Sequence, residues 1–162
     1  MESTRWLSED EQETWLRTLA VLTLLPAALD TQLQRDADLT HFGYGVLAML
    51  SETPGRSRRM SELAALVNGS QSRLSHLVGR LEGRGWVRRE RAGDDGRGSV
   101  AVLTDAGHAH LVASAPGHVA QVRALVFDAL TAEQVAQLGE ITGALLARLP
   151  LPGGCPDRAE PR

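Results

Sequence analysis

The chain has 162 residues, 43% of them hydrophobic and 23% charged, with one Cys and a formal net charge of −3. That length and apolar content suit a single folded unit with its own core, while the lone Cys155 excludes a disulfide framework and argues against a preformed metal centre. The first residues are acidic and polar, and the longest apolar-rich stretch, Leu19 to Leu29, is interrupted by Thr23 and Pro26 and falls short of a membrane span, so a soluble cytoplasmic protein without membrane contact is expected.

Ser8-Glu9-Asp10-Glu11 has the form of a capping box and opens a long helix with Trp15, Leu16, Leu19, Leu22 and Leu25 on adjacent faces, which Pro26 should kink or split. A second helix is predicted over about Thr40 to Ser51, with Phe42, Val46, Leu47 and Leu50 as its apolar residues. In Met60 to Val67, Leu63, Leu66 and Val67 recur at helical spacing behind a capping Ser61, and Asn68-Gly69 then breaks the helix, because Gly accepts the left-handed conformation of a C-terminal cap. The next helix runs from Ser70 to about Arg84 with Leu74, Leu77, Val78 and Leu81 inward, and Gly85 ends it. Two short runs, 86–90 and 99–103, flank the Gly/Asp-rich segment 91–98, the pattern of a hairpin with Arg97 near its tip. Thr104 caps a further helix that Pro116-Gly117 should bend or interrupt, and Thr131 to Gln134 opens a last one carrying Val135, Leu138, Ile141, Leu145 and Leu149. Residues 150–162, rich in Pro and Gly, read as a disordered tail.

The helix-turn-helix spacing followed by a hairpin is that of a winged helix-turn-helix. The outward face of its second helix, Gln71, Ser72, Arg73, Ser75, His76 and Arg80, consists of donors and acceptors that suit base edges and phosphates, and Ser61 and Ser70 stand at the starts of the two helices, where free amides attract phosphate. An arginine on a protruding tip, here Arg97, fits the narrow minor groove. Charge is distributed accordingly: residues 56–97 hold ten of the 17 basic residues against five acids, a local net charge of +5 on a remainder of −8. Double-stranded DNA is therefore the expected partner.

These residues resemble the MarR family of transcriptional regulators, through Ser61-Glu62-Leu63-Ala64, Ser72-Arg73-Leu74-Ser75 with Arg80-Leu81-Glu82, Gly85-Trp86-Val87-Arg88-Arg89, Asp95-Gly96-Arg97 and Leu103-Thr104-Asp105-Ala106-Gly107. The match is dense over 59–107 and looser over 6–149. The resemblance implies a mainly α fold with a small β-hairpin wing. Residues 40–103 would form the DNA-binding lobe, and 6–35 and 104–149 the helices of a two-fold homodimer. It also implies that Ser70 to His76 read the major groove, that Arg97 enters the minor groove with Asp95 aiming it, and that an inverted-repeat operator is bound, taken here as that of a repressor. Relatives often bind small aromatic or phenolic effectors in a cleft beside the dimer helices, for which Trp15, Phe42 and Tyr44 are the candidates, with ordinary core packing as the alternative. Gly79, in mid-helix, departs from expectation and costs the helix about 1 kcal/mol relative to Ala.

Other chemistry is weakly represented. His41, His76, His108, His110 and His118 are scattered, no Ser, His and Asp group is clustered in sequence, Gly83-Arg84-Gly85 lacks the rest of a dinucleotide loop, and Asp94-Asp95-Gly96 lacks the alternating acids of a calcium loop. No cofactor and no catalytic activity are expected. A winged helix turned to protein binding is the competing class.

Overall fold

The structure, a computed structural model, describes residues 4–66, 70–91 and 98–149. Helix α1 (Glu9–Ala37) starts at the expected capping box: the Ser8 hydroxyl accepts from the Glu11 amide at 3.2 Å and the Ser8 amide donates to the Glu11 carboxylate at 2.8 Å. Pro26 does not split it. A proline removes one amide from the ladder, and the remaining bonds of a 29-residue helix carry the chain across that loss. The helix stops at Asp38, whose left-handed backbone (φ 50°) returns its amide to the Gln34 carbonyl.

Thr40 caps α2 (His41–Ser51), its hydroxyl accepting from the Gly43 amide at 2.9 Å. A turn through Gly55 and Arg56, both at positive φ, leads into β1 (Ser57–Arg59), which runs directly into α3 (Met60–Leu66). Ser61 consequently lies inside the first turn of α3 and not at its cap; the strand preceding the helix sets the start. The breaking dipeptide Asn68-Gly69 lies outside the described residues. Helix α4 (Gln71–Gly83) is followed by β2 (Val87–Arg91) and β3 (Ser99–Leu103).

The sheet has a third strand that the sequence reading lacks. Its order is β1-β3-β2, antiparallel throughout, with Ser57 opposite Val102 and Val87 opposite Leu103. At three residues, two of them Arg, β1 is too short and too polar to show strand periodicity.

Leu33, Leu39, Val46, Leu47, Leu50, Leu63, Leu74, Leu77, Val78, Leu81, Val87 and Leu103 form one buried cluster, joining α2, α3, α4 and the sheet to the end of α1. Burying each such side chain stabilises the fold by about 1.5–3 kcal/mol before entropy is counted. Helix α5 (Asp105–Leu125) is continuous through Pro116-Gly117, and α6 (Ala132–Leu146) begins at a second capping box, between Thr131 and Gln134. The root of α5 is packed tightly: a Cβ on Gly107 would stand 2.1 Å from the Trp86 carbonyl oxygen, so only glycine fits. The Thr104 hydroxyl donates to the Gly85 carbonyl at 2.7 Å and closes the same corner.

Candidate nucleic-acid interface

Helix α4 is placed by its inner stripe and its first turn. Leu74, Leu77, Val78 and Leu81 are buried, and the Ser70 hydroxyl accepts from the Arg73 amide at 3.1 Å, so the helix begins at a fixed residue with its remaining first amides pointing outward. Gln71, Ser72, Arg73, His76 and Arg80 are exposed and Ser75 is half-buried. Most of the expected reading residues thus share one exposed face.

Two of them look sideways. The Arg73 guanidinium lies over the Phe42 ring, 4.6 Å from its centroid, a cation–π contact between α4 and α2. Arg73 and Arg80 also line an open cleft of about 750 Å³ with Pro26 and Asp30 of α1 and Phe42 and Met49 of α2. On the other flank, Arg59, Ser61, Gln71, Ser75, Arg89 and Ser99 surround a hollow of about 330 Å³ between α3, the start of α4 and the base of the wing. Two guanidiniums beside serine hydroxyls and a helix start form an anion-attracting surface. Sequence reasoning left Arg59 and Arg89 out of the site; the Arg58-Arg59 and Arg88-Arg89 doublets were visible only as part of the regional charge.

Arg89 is held firmly. Its Nε and backbone amide both meet the Glu82 carboxylate at 2.9 Å, and its Nη2 donates to the Ser75 carbonyl at 2.6 Å. Arg88 pairs with Glu90 at 2.7 Å on the exposed side of the same strand. Asp95 and Arg97, the expected wing residues, lie outside the described residues.

The three aromatic candidates are not brought together. Phe42 lines the cleft under Arg73, while Tyr44 turns to α5, its ring tilted by 47° against His118 with centroids 4.3 Å apart. Trp15 is half-exposed and eleven residues before Pro26 on α1, about 16 Å along the helix from the cleft. Beside Tyr44, His41 and His118 are 5.7 Å apart and each buries an Nδ1 without a protein partner. Burial, and then the neighbouring His41, push the His118 imidazole below its ordinary range, and burial raises the Tyr44 phenol. Among the described residues no group of three or more His, Cys, Asp and Glu could hold a metal ion, and no helix is long and apolar enough to cross a membrane.

A second junction ties α1 and α5 to the end of α4. Trp86 stacks on His110 with centroids 3.9 Å apart, the Arg84 guanidinium lies over the Trp86 ring at 4.9 Å, and the His110 Nε2 meets the Ala37 carbonyl at 2.9 Å. Arg84 also pairs with Asp38 at 2.5 Å.

Residues 39–98, from the approach to α2 to the residue before β3, match the sequence profile of the MarR family. A MarR family transcriptional regulator from Streptomyces coelicolor, solved in complex with DNA, is 47% identical; the alignment covers 99% of this chain and 97% of that one, with a TM-score of 0.87. AbsC, a MarR family transcriptional regulator from the same organism, is 40% identical over 90% of this chain and 100% of its own, with a TM-score of 0.79. The transcriptional repressor MprA of Escherichia coli K12 is 31% identical over 103 residues, 64% of this chain, and the chain spans 58% of that relative's length.

Proposed function

The chain belongs to the MarR family of transcriptional regulators, and we propose that it binds double-stranded DNA as a homodimer at an inverted repeat, acting as a repressor that a small aromatic or phenolic ligand releases. The observation that carries the DNA reading is the exposed face of α4, with Gln71, Ser72 and His76 on a helix whose start is pinned by Ser70, next to the hollow holding Arg59 and Arg89. In this reading Gln71, Ser72 and His76 meet base edges in the major groove, and Ser61, Ser70 and Arg59 meet phosphates. Ser75 contributes through its link to the wing, and Arg97, steered by Asp95, takes the minor groove. The likeness to a DNA-bound regulator over nearly the whole chain supports the assignment.

Homodimerisation rests on the apolar ends. Leu16, Leu22 and Leu24 on α1, Ile141 and Leu145 on α6 and Leu149 just after it are exposed, more apolar surface than the described residues cover. We assign residues 6–35 and 104–149 to the dimer helices and 40–103 to the reading lobe. Ligand release rests on the cleft where Phe42 holds Arg73: an aromatic occupant would compete for that guanidinium and so act on the reading helix itself.

Selection of a random DNA library with the purified protein, with light scattering of the free protein, tests the core of this. The expected result is a dimer and a two-fold symmetric motif with half-site centres about one helical turn apart; a monomer, or a motif without symmetry, overturns it. Thermal-shift screening followed by DNA titration tests release, which fails if every stabilising ligand leaves DNA affinity unchanged.

A further inference from the structure

Gly79 sits in the exposed middle of α4, where it weakens the helix, and the side chain that crosses it is Arg89 from β2. A Cβ built on Gly79 would lie 3.7 Å from Arg89 Nη2. The arginine passes over this bare stretch of helix, donates to the Ser75 carbonyl at 2.6 Å and reaches the Ser75 hydroxyl at 3.4 Å, while its Nε is held by Glu82 at 2.9 Å. Its own backbone amide, on the wing strand, donates to the same Glu82 carboxylate at 2.9 Å. Two residues of the reading helix, Ser75 and Glu82, are thereby fastened to one residue of the wing strand, which crosses Gly79 between them. Both members of the ion pair are about two-thirds shielded from solvent, so the bridge is stiffer than a surface pair.

We propose that Arg89 is a positioning residue for DNA recognition: it locks the wing to the middle of the reading helix as one rigid body, and residue 79 must be small so that the arginine can pass. The inference rests on the DNA-binding reading above. A helix in the major groove and a wing in the adjacent groove engage together only if their separation is fixed before binding, because otherwise each complex must order one against the other. A small residue at position 79 is the counterpart of that fixation. Alanine fits beside Arg89 at ordinary contact distance, whereas a longer side chain occupies the arginine's path.

The test uses the full chain and four variants, Gly79→Ala, Gly79→Leu, Arg89→Met and the double variant Gly79→Leu/Arg89→Met, each assayed on the selected motif and on random DNA, with melting temperature as a control. Gly79→Ala should bind the motif like wild type and melt no lower. Gly79→Leu and Arg89→Met should each weaken motif binding about tenfold, the scale of one lost charge-assisted hydrogen bond, and the double variant should again lose about tenfold, because both substitutions break one bridge. Gly79→Leu leaves every charge in place, so its salt dependence on random DNA should match wild type. Independent losses in the double variant, about a hundredfold in total, would mean that the bulk added by Gly79→Leu obstructs DNA directly and would overturn the proposal. So would wild-type binding by Arg89→Met. If the wild-type protein selects no motif at all, the DNA reading falls first and the proposal with it.

Discussion

Within the lobe that runs from Leu39 to Leu103, Val46, Leu47, Leu50, Leu63, Leu74 and Val78 are wholly shielded from solvent, whereas along α1 and α6 Leu22, Leu24 and Ile141 stand 63%, 67% and 57% exposed. The same residue types serve two ends. In the lobe, each helix presents one narrow stripe and the sheet closes the far side, so one copy of the chain suffices to bury it. On α1 the apolar residues Trp15, Leu16, Leu19, Val21, Leu22 and Leu24 spread over more than one face, and nothing among the described residues covers them. The lobe buries its stripe within one copy of the chain, and in the proposed dimer the terminal helices would bury theirs against a second copy.

That contrast is open to measurement, beginning with the largest effect. Leu47→Ala, in the fully buried part of the lobe, should cost about 2–5 kcal/mol of unfolding free energy; a loss under about 1 kcal/mol would show that the lobe is not the stable body described. Leu22→Asp should leave the lobe's helical signal intact and weaken self-association by about 2–4 kcal/mol, seen as monomer in light scattering. Wild-type melting should rise with protein concentration in the same series. A Leu22→Asp protein as dimeric as wild type breaks the comparison.

Caps sharpen it further, because chemically equal losses fall on unequal regions. Ser70→Ala and Thr131→Ala each remove a side-chain acceptor from a helix start and should each cost about 1 kcal/mol. The first should appear in DNA affinity and the second in dimer dissociation, and the opposite pattern would reverse the roles assigned to α4 and α6. The smallest effect is on pH. His118 is held below the ordinary value of 6.5 by burial and by His41, so below about pH 6.5 the unfolded chain binds more protons and stability should fall as pH falls. Above that value both states are neutral there and the contribution to the slope vanishes. Asp36, drawn down to about 2 by its hydrogen bonds from Arg35 and then Gln32, acts in a lower window: its contribution is present above the ordinary 3.8 and is lost as pH falls toward 2. His118→Gln should flatten the melting curve between about pH 7 and 5, the ordinary range of the imidazole, while leaving the more acid limb unchanged; an unaltered slope would remove His118 from the account.

Much of this was legible in the residues themselves. The caps at Ser8, Thr40, Ser70, Thr104 and Thr131 each open a helix, because a cap is a local interaction whose partner lies three residues away. The stripe of Leu74, Leu77, Val78 and Leu81 foretold both α4 and its orientation. What stayed hidden was non-local. The strand β1 exists only because β3 lies beside it, and Pro26 and Pro116 leave their helices whole because the flanking hydrogen bonds outweigh one missing donor. Arg73 is exposed as expected, but the contact of its guanidinium with Phe42 lies between two helices and no local pattern shows it. The bridge from Arg89 to Ser75 spans fourteen residues and crosses a glycine that the sequence presents only as a weakness. The hairpin pattern pointed to Arg97 and the family resemblance added Asp95; both lie outside the described residues.

Gly107 gives α5 the geometry of a lever. With no room between this residue and the Trp86 carbonyl, the root of α5 lies directly against the corner that follows the reading helix. The arm beyond it is long: 21 residues at 1.5 Å each make about 31 Å, so a sideways displacement of about 3 Å near Leu125 is a rotation of about 6° at the root. In a two-fold assembly each arm would carry its own reading helix through that angle, in opposite senses. In such an assembly the distance between the two helices would depend on how far apart the arms are held at their distal ends, well away from any base pair.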